Sequence, residues 1–188
     1  MLTAMGDVMR EAYKRGWITT RDGNVSVKMG KSLYITPTSV RKYNIQVEQI
    51  VKIPLDSTHL PQAPDKPVSI EFDMHWLIQK QAGVKAVVHL HPTFTVAAMH
   101  AGYDLQQLAR TFVELGRFSQ VGPAVPMLPP GSSDLAIMTA EAIKDYQIVG
   151  QVGHGVTAKA KNPWDAFEHI ERLEHICQIV LASGVRPG

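Results

Sequence analysis

The chain has 188 residues, of which 45% are hydrophobic and 19% charged, and its formal net charge is +2. That length suits one domain, 1–188, with a core large enough to fold without disulfides. The small net charge, without any long basic run, excludes a nucleic-acid or membrane-surface footprint, and no apolar stretch reaches the ~20 residues of a membrane span.

The amino-terminal residues lack the basic start and apolar run of a secretory signal, so a cytoplasmic protein is expected. Met5, Val8, Met9, Ala12 and Tyr13 share one face of a helix over 3–15, which Gly16 ends. Two short strands, 24–28 and 32–36, flank a turn at Met29-Gly30-Lys31. Four prolines mark 54–67 as a loop. A helix over 69–82 follows, with Gly83 as its stop and Glu71 in its first turn, where the helix dipole favours a carboxylate.

Residues 85–91 read as a strand and 93–100 as a helix. Asp104-Leu-Gln-Gln107 resembles a capping box and opens a further helix towards Leu115, with Glu114 in the apolar setting Thr111-Phe-Val-Glu-Leu115. A proline-rich segment, 123–130, leads to a helix over 132–144 and strands at 148–152 and 156–160. Asn162 caps a last helix that runs to 183, with Pro163 in its first turn and Gly184 at its end. Cys177, the single cysteine, falls in an apolar part of that helix and reads as packing; no disulfide can form within the chain. Helices mixed with short strands and a tight hairpin imply a sheet with helices packed on it.

Eight histidines are present, and two carry the strongest signal. His89 and His91 lie two apart on a strand and project to the same face. Paired neutral imidazoles are hard to satisfy by packing alone, and imidazole is a favoured ligand of zinc and neighbouring transition metals. His154 sits between Gly153 and Gly155 after the strand 148–152, where flanking glycines allow a sharp turn or a close backbone approach. It is suited to complete a site begun elsewhere. His75, four residues after Glu71, reads as a satisfied helix histidine. His169 and His175, among Glu168, Glu171, Arg172 and Glu174, read as a solvated or inter-subunit face.

Five blocks in order then resemble the class II aldolase/adducin family: Asp22-Gly-Asn-Val-Ser26, Ile35-Thr-Pro-Thr-Ser39, Glu71 with His75, Val87-Val-His-Leu-His91 and His154-Gly-Val156. The resemblance spans nearly the whole chain. It implies an α/β fold, a three-layer α/β/α sandwich around a mainly antiparallel sheet, and often a homotetramer with active sites at subunit interfaces. It also implies one zinc per subunit, or another divalent transition metal, on His89, His91 and His154. Glu71 would join the metal sphere or act as the base. Gly23, Asn24, Thr38, Ser39 and Ser69 would hold a substrate phosphate through N–H and hydroxyl donors.

The activity implied is that of an aldolase-type lyase acting on a small ketose phosphate or related hydroxy-keto acid through a metal-stabilised enediolate. The same chemistry serves a dehydratase, a decarboxylase or a 4-epimerase. Three departures bear on that choice. Ile70 stands where the phosphate loop of such aldolases has a second serine, beside Ser69, and Asp22 adds a negative charge next to Gly23, which Arg21, Arg41 or Lys42 would offset. No tyrosine occurs between Asp104 and Asp145; Glu114 instead falls near the acidic acid/base of related epimerases and dehydratases. The sequence stops at Gly188, short of the tail that covers the site in some relatives, so a more open site is expected. The adducin branch keeps the fold as a non-enzymatic module after losing metal ligands, whereas all of them persist here.

Overall fold

A computed structural model describes residues 1–55 and 67–184. Its described elements are helices α1 (Leu2–Lys14), α2 (Phe72–Gln79), α3 (Thr93–His100), α4 (Leu105–Thr111), α5 (Val113–Phe118), α6 (Ser133–Ala142) and α7 (Pro163–Ser183). The strands are β1 (Asn24–Met29), β2 (Ser32–Ile35), β3 (Val51–Pro54), β4 (Ala86–Leu90), β5 (Ile148–Gln151) and β6 (Gly155–Ala160). Among the described residues the strands form one sheet in the order β3-β2-β1-β4-β6-β5, every neighbouring pair antiparallel.

Strand alternation sorts the core into two halves. Val25, Val27, Val88, Leu90 and Val156 pack towards α1 and α7, with Met5, Met9, Phe167 and Ile170 facing them. On the other side Val87 and Val149 meet Met74 and Ile78 of α2 and Ile143 beyond α6, while Leu33, Ile35 and Ile53 meet Phe72 and Trp76. The result is the expected three-layer α/β/α sandwich. Register then does something specific. Asn24 of β1 pairs with His89 of β4, and His89 pairs with Thr157 of β6, so three polar side chains stand in one row across the middle of the sheet. Period-2 geometry turns that row towards α2.

Several boundaries differ from the sequence expectations. The helix expected over 69–82 is shorter, and Glu71 precedes it at the N-cap position with φ −96° and ψ 20° and no capping bond. Its carboxylate is drawn sideways to Asn24 instead. The helix expected from Asp104 towards Leu115 begins as foreseen, with the Asp104 carboxylate accepting from the Gln106 amide at 2.8 Å. It then breaks at Phe112, whose extended backbone separates α4 from α5. The Thr111 hydroxyl bonds back to the Gln107 carbonyl at 2.9 Å, a contact that bends helices. Strand β3 was not anticipated; it is a short edge strand, and Pro54 closes it where no ladder donor is needed. Most of the proline-rich loop expected over 54–67, His59 included, lies outside the described residues.

Glu174 corrects the expectation of a solvated face. It is buried, and its carboxylate accepts from the Phe94 amide (2.9 Å), the Thr95 amide (2.7 Å) and the Thr95 hydroxyl (2.8 Å). One side chain of α7 thus satisfies the open N–H groups at the start of α3. His169 bonds to Ser119 at 2.8 Å. Cys177 is fully buried, as expected, and burial pushes its thiol up to about 12, which removes it as a nucleophile at neutral pH. Among the described residues no helix is long and apolar enough to cross a membrane.

Candidate metal centre and active site

The end of β4 and the turn between β5 and β6 bring His89, His91 and His154 together. One nitrogen of each lies within 4.8 Å of the others, and the ring centroids are 4.8–4.9 Å apart. His89 Nε2 and His91 Nε2 approach to 2.9 Å. Glu71 closes the group from the α2 side, with Oε2 3.2 Å from His89 Nε2 and Oε1 3.5 Å from His154 Nε2. Thr157 Oγ1 lies 3.1 Å from His89 Nδ1, which leaves Nε2 as the nitrogen facing the cluster.

The two glycines beside His154 have separate jobs. Gly153 has φ +70°, the left-handed conformation that the turn requires. Gly155 has no room for a side chain: a Cβ there would meet the Leu90 carbonyl and would stand 2.7 Å from His91 Cδ2 and 3.2 Å from His89 Cε1. Gly155→Ala is expected to displace the His91 ring and to cost about 1–3 kcal/mol through overpacking. Urea unfolding of the metal-free variant would read the stability loss, and zinc titration would read the misplaced ligand.

Burial of these groups keeps them neutral or costs them charge. His91 is pushed down to about 4, by burial first and then by His154; His89 is held well below its ordinary value by burial and by the neighbouring imidazoles. Burial also holds the Glu71 carboxyl above its ordinary range, against the opposing pull of Asn24, His154 and Lys42. His75, behind them, is pushed down to about 3 by burial and then by the Lys42 ammonium. A histidine with a depressed folded-state pKa stabilises the fold above its unfolded value of 6.5, and that stability is lost as pH falls towards the folded value. Glu71, with its raised value, acts in the opposite sense, one carboxyl against three imidazoles. The metal-free protein is therefore expected to lose stability between pH 6.5 and 4. The loss is on the order of a few kcal/mol, measurable as a falling urea midpoint.

The donor set suits a metal ion. Three imidazole nitrogens and a carboxylate form the mixed N/O sphere that zinc accepts in open, catalytic sites. One atom at the cluster points the same way: Glu71 Oε1 is buried without a hydrogen-bond partner, 3.5 Å from His154 Nε2. Orphaned polar atoms are costly inside a protein, and a positive ion held among the three imidazoles would lower the cost of burying that carboxylate oxygen.

A cavity of about 240 Å³ opens from the cluster. Gly23, Asn24, Thr38, Ser69, Glu71, His91 and His154 line it, so most of the expected site residues converge. Ser39 does not line it; it is exposed, with the strained value φ +58°. Ile70, in the place of a hydroxyl, lies 65% exposed beside the opening. The Asn24 side chain has partners other than those expected, since its amide donates to Glu71 Oε2 at 2.9 Å and its carbonyl oxygen meets His75. Glu114 is exposed on α5 and does not line the cavity of its own chain.

Sequence reasoning left Lys42 as one of three charges of uncertain use. It is buried in the cavity wall, its ammonium donates to the Pro37 carbonyl at 2.6 Å, and burial lowers it to about 8 despite Asp22 and Glu71. Thr157 and the group formed by Ser26, His75 and Gln79 were not foreseen as parts of the site. The signal was present: Glu71, His75 and Gln79 recur every four residues along a helix whose other polar residue is Asp73, and Asn24 and Ser26 alternate with Val25 and Val27 in the strand.

The chain belongs to the class II aldolase and adducin family: residues 3–181 match its Class II Aldolase and Adducin N-terminal domain. It is 31% identical over 180 residues to 3-oxo-tetronate 4-phosphate decarboxylase of Escherichia coli K12, covering 93% of this chain and 83% of that one. With L-fuculose phosphate aldolase of Methanococcus maripaludis it shares 30% over 179 residues, 95% and 94% of the two chains. A probable bifunctional methylthioribose-1-phosphate isomerase/methylthioribulose-1-phosphate dehydratase of Nocardia farcinica is 30% identical over 189 residues, 93% of this chain. This chain spans about a third (34%) of that relative's length. Among solved structures, Escherichia coli YgbL, a candidate aldolase/epimerase/decarboxylase, superposes with a TM-score of 0.84 at 26% identity, covering 99% of this chain and 90% of the other.

Proposed function

We propose that this chain is a cytoplasmic zinc-dependent carbon–carbon lyase acting on a small ketose phosphate or related hydroxy-keto acid. The observation that carries the reading is the convergence of His89, His91, His154 and Glu71 at one end of a polar cavity, with Glu71 Oε1 unpartnered. His89, His91 and His154 would hold the ion, with Glu71 beside it. When bound, a divalent ion supplies Lewis-acid polarisation of a substrate carbonyl.

The chain's own residues supply the rest. Glu71, with its free oxygen directed at the cluster, moves a proton at the carbon next to that carbonyl. The Gly23 turn, Thr38 and Ser69 offer N–H and hydroxyl donors to the substrate's anionic group, and the Lys42 ammonium in the same wall offsets Asp22 and adds a cation where Ile70 lacks a hydroxyl donor. Asp22, partly buried and bonded to Thr19, keeps the wall from being uniformly positive.

Family membership supports a lyase without choosing among reactions, since the relatives include an aldolase, a decarboxylase and a dehydratase at 30–31% identity. The second reading, a dehydratase, decarboxylase or 4-epimerase, is favoured by the absence of a tyrosine between Asp104 and Asp145 and the presence there of Glu114. Because Glu114 is exposed and away from its own cavity, it would serve as acid/base only in the site of a neighbouring copy, as in a homotetramer. Glu114→Gln is then expected to lower turnover roughly 10²-fold while bound metal stays constant. Full turnover by a chain that is monomeric in light scattering would remove Glu114 from the chemistry.

Incubating the metal-loaded protein with a panel of ketose phosphates and hydroxy-keto acids tests the reaction directly. An aldehyde with a three-carbon keto phosphate identifies aldol cleavage, carbon dioxide identifies decarboxylation, and a dicarbonyl formed with loss of water identifies the dehydratase. No product from any substrate, with metal bound, would sink the lyase reading.

A further inference from the structure

Behind Glu71 runs a buried chain of polar groups that the proposed chemistry has not used. Ser26, His75 and Gln79 are fully buried, and Asn24 and Glu71 nearly so. The donor and acceptor roles along it can be read from both ends. At the site end, an ionised Glu71 only accepts, so the contact of Asn24 with Oε2 at 2.9 Å uses the amide NH2 and turns Asn24 Oδ1 to His75. His75 Nε2 must then carry the proton, and Nδ1 of the neutral ring accepts from the Ser26 hydroxyl at 2.7 Å.

At the far end, Gln79 Nε2 lies 3.2 Å from the Ser26 carbonyl, which can only accept. That anchors the Gln79 amide with its NH2 towards Ser26, and it donates to Ser26 Oγ at 3.0 Å. The hydroxyl proton is left for His75. Both ends therefore impose the same direction: Gln79 donates to Ser26, Ser26 to His75, His75 to Asn24, and Asn24 to Glu71.

We propose that His75 is a positioning residue, which fixes the Asn24 amide so that it donates to Glu71 Oε2 and leaves Oε1 as the oxygen that meets substrate. The proposal rests on the reading of Glu71 as the proton-moving group. It gives Asn24 a task in orienting the base rather than in gripping a phosphate with its side chain. It also explains why a histidine occupies a buried helix position where Ser26 and Asn24 are the polar groups opposite.

The first test needs no turnover. Nitrogen-15 NMR of the histidines in the zinc-loaded wild type, with His75 assigned by comparison with His75→Gln, is expected to show the Nε2–H tautomer across neutral pH. An Nδ1–H tautomer, or a doubly protonated ring, would overturn the directional chain whatever the enzyme's reaction proves to be.

The second test separates positioning from scaffolding. His75→Leu is expected to lower kcat roughly tenfold to a hundredfold, with KM and bound metal unchanged. His75→Gln, which keeps a donor where Nε2 was, restores most of that loss. In a Glu71→Gln background His75→Leu should cost little more, because the group it positions is already gone. Equal losses in both backgrounds, or no recovery with glutamine, would overturn the proposal. Should His75→Leu not fold, His75→Gln and the NMR tautomer still decide it. A wild type without turnover but with the Nε2–H tautomer would refute the lyase reading and leave the hydrogen-bond chain intact.

Discussion

Replacing His89 with alanine is expected to abolish metal retention and turnover together. His89 is the innermost of the three imidazoles, fully buried between Asn24 and Thr157 in the sheet. Its Nε2 is the atom common to the 2.9 Å approach of His91 and the 3.2 Å approach of Glu71. Without it only His91, His154 and Glu71 remain, and the donor that both His91 and Glu71 approach is gone. A catalytic ion supplies several kcal/mol of transition-state stabilisation, so its loss lowers turnover by ~10³-fold or more. The metal-free variant should meanwhile keep its fold, because the sandwich is built from the apolar faces of β1, β4 and β6 and not from the cluster. Elemental analysis, circular dichroism and the product assay read these three outcomes. A variant that kept its metal would show that His89 is packing and that the ion, if any, sits elsewhere.

Glu71→Gln is expected to separate binding from chemistry. Glutamine keeps the size of the side chain, and its Oε1 accepts from Asn24 as the carboxylate does, but it cannot move a proton. Metal content should fall only modestly, since three imidazoles remain. The expected loss in kcat is ~10²–10⁴-fold, the usual contribution of a positioned general base. KM should change little. A large loss of metal with residual turnover per bound ion unchanged would make Glu71 a ligand alone.

Much of this site was legible in the sequence because its periodicities are local. His89 and His91 share a face through strand alternation, and the glycines around His154 mark a turn and a close approach, which Gly153 and Gly155 each supply. The layers were legible for the same reason, through apolar faces at helix and strand spacing. What was not legible depends on register. Nothing local says that Asn24 stands opposite His89, or that His89 stands opposite Thr157; those pairings follow from how β1, β4 and β6 slide into place. Glu71 was misplaced by one turn for a related reason: helix-dipole logic assigns it to a helix start, whereas contact with Asn24 holds it just outside. The break at Phe112 and the edge strand β3 were missed where a side-chain bond and a short alternating pattern outweigh simple propensity. Glu114 was read from its apolar neighbours alone, and in the folded chain it is exposed on α5 and does not line the cavity.

The most direct test of the central claim is the metal content of the purified wild type, measured by elemental analysis before and after chelation and linked to turnover. Close to one zinc, or another divalent transition metal, per chain is expected. Activity should vanish on chelation and return in proportion to metal restored. A protein that binds no metal at saturating zinc, or that turns substrate over equally well without it, would contradict the metal centre and leave only the family fold.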